Sequence, residues 1–253
     1  MNQVGFYTLL QKEVRRFMKV AGQTVTSPVI TSVLYLVVFG QVLGDRVTVY
    51  EGVSYLAFLI PGLIMMSVIQ NSFANSSSSI TQSKINGNLV FLLLAPLSIF
   101  EIFAAFVLAA VLRGAMVALC LYAVGWIFVP LPIAQPLYLL TMLFLASSCL
   151  AALGLIAGIL AEKFEHLAAF QNYFILPFSF LSGVFYSIES LPPIWAQMSH
   201  FNPFFYMIDG FRQGFFGVSD APGGLSLLVV GGFLLLISSL CLRLLHTGYK
   251  LRP

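Results

Sequence analysis

Residues 187–224 are too broken to cross a membrane as one helix and too apolar to sit in water as an ordinary loop. They hold Pro192, Pro193 and Pro203, and the charges Glu189, Asp209, Arg212 and Asp220. Among these stand the aromatics Phe201, Phe204, Phe205, Tyr206, Phe211, Phe215 and Phe216. Proline removes a backbone donor and clashes with the preceding turn. Charge at a bilayer centre is costly. The pattern predicts two short re-entrant half-helices that dip into one side of a membrane, with the aromatic rings keeping them there. Long apolar segments lie on both sides of the stretch.

Lipid is the solvent for most of the remaining chain. It is 59% hydrophobic and only 8% charged, whereas a soluble domain carries roughly a quarter charged residues. A transmembrane helix takes ~20 mostly apolar residues, so the length allows about six. The reading is an all-α integral membrane protein, one domain over residues 1–253. Its six transmembrane helices are expected at about 24–43, 54–75, 98–128, 137–160, 167–186 and 225–245. Residues 1–22 are expected to form an amphipathic interfacial helix. In it Phe6, Leu10, Val14, Phe17, Met18 and Ala21 recur at helical spacing, and Lys12, Arg15, Arg16 and Lys19 occupy most of the remaining arc. A helix of that kind lies in the membrane surface.

Basic residues gather on the cytoplasmic side of membrane proteins. Here they gather at the two ends: Lys12, Arg15, Arg16 and Lys19 at one, Arg243, Lys250 and Arg252 at the other. The 44–53 link carries Asp45 and Glu51 against Arg46, and 187–224 carries three acids against Arg212. Both termini are therefore expected in the cytoplasm.

The chemistry that is missing narrows the function. No phosphate-cradling G-x-x-x-x-G-K-[ST] occurs, and no H-E-x-x-H or G-x-S-x-G in the right context. His166, His200 and His246 are dispersed, and Cys120, Cys149 and Cys241 lie in apolar runs at no metal or disulfide spacing. No catalytic residue, resident cofactor or metal is expected, and a net charge of +3 points to no nucleic-acid partner. Arg113 is the clear intramembrane charge, and such a residue is a functional candidate by default; Asp209 or Glu189 is its expected partner, should the 187–224 hairpin dip far enough. Ser147, Ala151, Gly154 and Gly158 run down the fourth span and predict close helix packing, within the chain sooner than between chains. Residues 76–97 open polar, turn at Asn86–Gly87–Asn88 and end in a short apolar run before Pro96. They are expected to form a cytoplasmic helix on which another protein docks.

Several of these passages together resemble the ABC-2 type transporter permeases. The resemblance rests on Leu181–Tyr186, on Leu191, Pro192 and Pro193, on Asn202 and Pro203, and on Asp209–Arg212. It extends to Ile60–Val68 and Leu92–Ser98. It implies six spans with cytoplasmic ends, an amphipathic first helix, a coupling helix after the second span and two re-entrant helices before the sixth. It also implies two copies of the chain, each docked on a separate ATP-binding subunit that holds ATP and Mg, in a bacterial inner membrane. The implied cargo is an exported amphiphile, lipid-like or drug-like, with a lipid-linked glycan or polysaccharide as the alternative. Many members carry an acidic-basic run with a Gly-Thr turn in the coupling segment; this chain has Lys84 and a neutral turn instead. The coupling contact is accordingly expected at Lys84, Ile85, Asn86, Gly87, Leu89 and Phe91, and the outer gate at Pro192, Pro193, Asn202, Pro203, Phe204, Tyr206, Asp209 and Arg212. Two rivals stand further off. An ion-coupled secondary transporter needs acids or broken helices near the midplane, and no span has a central Asp or Glu. The other is a membrane scaffold that transports nothing.

Overall fold

The computed structural model describes residues 2–43, 49–50 and 52–250. Asp45, Arg46, Glu51 and Arg252, used above to orient the chain, lie outside the described residues. The described residues are helical almost throughout, with a single isolated bridge from Tyr50 to Val53 in place of any strand. The helices are α1 (Gln3–Met18), α2 (Ala21–Leu43), α3 (Tyr55–Ile85), α4 (Leu89–Leu94), α5 (Ile99–Phe128) and α6 (Pro136–Leu160). There follow α7 (Phe164–Phe170), a π-helical turn (Gln171–Ile175), α8 (Leu176–Phe180), α9 (Pro193–His200), α10 (Pro203–Phe216) and α11 (Gly223–Thr247).

Five of these, α2, α3, α5, α6 and α11, are long and apolar enough to cross a membrane. The expected fifth span at 167–186 is instead three consecutive helical pieces, α7, the π turn and α8, ending in a turn at Leu181–Tyr186. Pro177 lies inside this continuous helical run, directly after the π turn, where a proline removes an intrahelical hydrogen bond.

Local chemistry sets the helix ends. Ser98 and Glu101 form a reciprocal capping box on α5: the Ser98 Oγ accepts from the Glu101 N–H at 3.2 Å, and the Ser98 N–H donates to Glu101 at 2.7 Å. The second Glu101 oxygen accepts the Asn2 N–H at 2.6 Å, which ties the start of α1 to the start of α5. Gly217 and Gly248 end α10 and α11 in the left-handed conformation that glycine adopts freely.

Helix α3 is the hub. Of its most apolar window 83% is buried, against 11% for α2 and 22% for α11, so these last two offer bare faces to lipid or to another chain. The expected connection from residue 76 begins as helix: Ser76, Ser77, Ser79 and Thr81 belong to the last buried turns of α3. Ser77 and Thr81 meet Gly158 of α6. A Cβ on Gly158 would come within 2.8 Å of the Ser77 carbonyl oxygen, and one on Gly154 would collide with the Phe73 carbonyl. The G-x-x-x-G is thus consumed inside the chain, by α3. Gly114 of α5 completes the seam, against the Ser72 and Ser147 hydroxyls.

Helix α1 packs along α5 and buries Leu9, Glu13 and Phe17. Glu13, among the basic residues in sequence, is fully buried and is paired by Lys12 at 2.9 Å and Arg16 at 3.2 Å. Arg16 continues to the Asn75 carbonyl at 2.7 Å on α3. The basic arc of α1 therefore holds the bundle as well as facing outward.

Candidate functional site

Two ends and one groove carry the polar chemistry. At one end α4 stands between α3 and α5. Asn86 caps α3 and Gly87 turns the chain with φ +70°. Leu89 is buried, whereas Val90, Phe91 and Leu94 are exposed, Phe91 by 73% and Leu94 by 77%. A cavity of about 680 Å³ opens beside this helix, between Gly5 and Leu9 of α1, Gln82 and Ser83 of α3, and Phe91 and Leu92 of α4. Of the expected coupling residues, Ile85 and Phe91 present apolar surface outward. Lys84 is turned inward, donating to the Ile159 carbonyl at 2.8 Å and the Ala161 carbonyl at 2.7 Å, and so closes the end of α6.

At the opposite end, α9 and α10 are the two short helices expected from 187–224, though with unequal surroundings. Pro193 and Pro203 begin them at positions that proline favours. Asn202 caps α10 by accepting the Phe204 N–H at 3.0 Å, and its amide donates to the Phe178 carbonyl at 2.7 Å and to Ser182 at 2.9 Å. Tyr206 donates to the His200 carbonyl at 3.1 Å. The aromatic cluster was expected to anchor the hairpin in lipid. Instead Phe204, Phe205, Tyr206, Phe211 and Phe215 are buried in the protein core, and α9 is the exposed element, with Ile194, Trp195, Met198 and Phe201 on its surface. Pro192 precedes α9 on that exposed side.

The charges of this end form one network. Asp209 is fully buried and accepts the N–H groups of Asp220 at 2.9 Å and Ala221 at 3.0 Å, fixing the turn into α11. Asp220 accepts from the Tyr50 hydroxyl, the Ser187 hydroxyl and the Ile188 N–H, each at 2.8 Å. Burial pushes the Tyr50 phenol well above the usual tyrosine range, so its hydroxyl stays protonated and donates. Arg212 is 1% exposed; its guanidinium lies 3.7 Å from the centre of the Phe58 ring and donates to the Gly183 carbonyl at 2.9 Å. Gly62 leaves it room: a Cβ there would meet the Arg212 Nη2 at 3.1 Å and the Val184 carbonyl at 2.9 Å.

Arg113 belongs to neither end. Its expected acidic partners are both elsewhere: Asp209 is committed to residues 220 and 221, and among the described residues no carboxylate pairs with Arg113. It donates to Asn71 Oδ1 from Nη2 at 3.0 Å and from Nε at 3.3 Å. The reason is position along the helices. Arg113 is about midway along α5, at the level of Asn71 about midway along α3, whereas Asp209 packs at the start of α11. Both residues line a groove of about 790 Å³ between α2 and α3. Its α2 wall is Gln23, Ser27, Thr31 and Tyr35, one residue every four, and its α3 wall includes Ser67 and Gln70. Sequence reasoning missed this groove, although the four-residue spacing of polar side chains in an otherwise apolar helix was visible.

The ABC-2 type transporter family model matches residues 4–216. The chain belongs to the ABC-2 type transporter family. This permease is 37% identical to the inner membrane transport permease YadH of Escherichia coli strain K12, over 98% of its own length and 97% of that relative. It is 27% identical to nodulation protein J of Sinorhizobium fredii, over 79% of its length and 73% of that protein. Nodulation protein J of Azorhizobium caulinodans matches at 24% over 95% and 97%. The permease is thus a transmembrane subunit of an ABC transporter, resident in the inner membrane, that works with an ABC ATP-binding partner.

Proposed function

We propose that two copies of this permease form the membrane half of an ATP-driven exporter that moves an amphipathic, lipid-like or drug-like molecule out of the cytoplasm or inner leaflet. In this reading α7, the π turn and α8 make the sixth crossing, both termini are cytoplasmic, and α9 and α10 close the outer end. Each copy docks one ATP-binding subunit, which holds ATP and Mg; this chain supplies no catalytic residue. The exposed apolar face of α4 carries the reading. Val90, Phe91 and Leu94 stand out from a helix far too short to cross the bilayer, beside an open cavity floored by α1 and α3. A subunit seated there pushes on α3 and α1 together, because Arg16 of α1, held by Glu13, donates to the Asn75 carbonyl of α3. The path is the α2–α3 groove, whose polar walls shelter a headgroup while its open side leaves an apolar tail in lipid. The amide and hydroxyl lining equally suits a lipid-linked glycan, the second reading.

Co-purification tests this. The wild-type permease is expected to retain an ATP-binding subunit through detergent extraction and to support ATP-dependent transport in vesicles. Phe91→Asp, which buries a charge in the contact, is expected to insert normally and lose the subunit. A wild-type chain that holds no ATP-binding subunit and drives no ATP-dependent transport overturns the proposal.

A further inference from the structure

The α2–α3 groove has an electrostatic character that the transport reading does not require. Arg113 sits about midway along α5 with a neutral amide, Asn71, as its only hydrogen-bond partner among the described residues. Its Nη1 makes no hydrogen bond among them. No carboxylate among the described residues pairs with Arg113, and Glu13, the acid of α1, is taken by Lys12 and Arg16. The same groove is lined by further neutral polar side chains, Gln23 and Thr31 of α2 and Gln70 of α3. An arginine at this depth is costly unless an anion offsets it. A guanidinium that opens on a groove lined by amides and hydroxyls offers the donors that a phosphate or carboxylate takes, its planar fork to two oxygens and the neutral groups to the rest.

We infer that the groove binds the anionic headgroup of a single amphiphile, with Arg113 as the residue that selects for negative charge. The inference rests on the groove being the transport path, and it adds the sign of the cargo's charge. The open flank between α2 and α3 leaves room for the tail: Ile30 and Leu34, next along α2, are exposed and apolar. The site is therefore selective for an anion attached to an alkyl chain over the free ion.

Binding to the full-length permease in nanodiscs of zwitterionic lipid tests this, with dodecyl phosphate, inorganic phosphate and dodecyl maltoside as probes. Dodecyl phosphate is expected to bind the wild type, and Arg113→Gln to weaken it about ten- to a hundredfold, as expected when charge-assisted bonds are lost. Dodecyl maltoside is expected to be indifferent to the change, and inorganic phosphate to bind weakly or not at all. Thr31→Glu supplies a second variant. It adds an acid to the exposed α2 wall of the same groove, and should repel dodecyl phosphate by a similar factor. Undiminished dodecyl phosphate binding in both variants overturns the inference, as does inorganic phosphate binding as tightly as its alkyl ester. Neither result bears on recruitment of the ATP-binding subunit, so the transport reading stands or falls separately.

Discussion

Gly154→Leu is expected to destabilise the permease by about 3 kcal/mol or more, and to remove most of the folded protein from detergent extracts. At Gly154 the backbones of α6 and α3 touch, because a Cβ would collide with the Phe73 carbonyl. One turn on, at Gly158, the obstacle is again backbone, the Ser77 carbonyl at 2.8 Å. A flexible side chain yields to an added methyl group, but main chain in the middle of two packed helices does not. Separating them also opens the space around the buried Ser72, Ser76 and Ser147 hydroxyls. Gly232→Leu on α11 is the matched control, since nothing lies within 4 Å of its Cβ position. Thermal melts monitored by size exclusion should separate the two. A Gly154→Leu protein that melts with the wild type would show that the α3–α6 seam is not as close as described.

Asp209→Ala has the second large effect, about 3 kcal/mol, because it strands two backbone donors and leaves Arg212 with one fewer acid nearby. The N–H groups of Asp220 and Ala221 lose their acceptors, and the turn into α11 loses its fixed geometry. Asp220 then no longer holds Tyr50, Ser187 and Ile188 in place, so the loss spreads to the links before α3 and before α9. Asp209→Asn keeps one acceptor oxygen and should fall between. Limited proteolysis of 187–224 in nanodiscs reads this directly: cleavage should quicken for alanine, less for asparagine, and stay at the wild-type rate if the network is not what closes this end.

Much of this architecture was legible in the residues. Apolar length located α2, α5, α6 and α11 to within a few positions, since lipid tolerates no other spanning element without closure of its backbone bonds. Prolines told that 187–224 is no single helix, and the structure puts Pro193 and Pro203 at the first positions of α9 and α10, where a proline N–H is missed least. Three things were hidden. Helix α3 continues through Ser76–Gln82, a stretch polar enough to read as loop, because small Ser and Thr side chains let it pack closely on α6, with Thr81 donating to the Gly158 carbonyl. The α10 aromatics look like membrane anchors in sequence, yet they pack inward; helical registry alone does not say whether a ring faces lipid or protein. And Arg113 finds its partner 42 residues away, at an asparagine. A search for acids passes over that pairing.

The proposed transport path is the α2–α3 groove, and in that proposal ATP in the partner subunit opens it alternately to each side. Labelling of Thr31→Cys by a membrane-impermeant maleimide tests it most directly, in proteoliposomes of the permease with its ATP-binding subunit. Cys120 is replaced first; Cys149 and Cys241 are buried. The account predicts rapid labelling from the cytoplasmic side without nucleotide, and protection from that side with labelling from the outer side after vanadate trapping. Labelling at one rate and from one side in both states would contradict it.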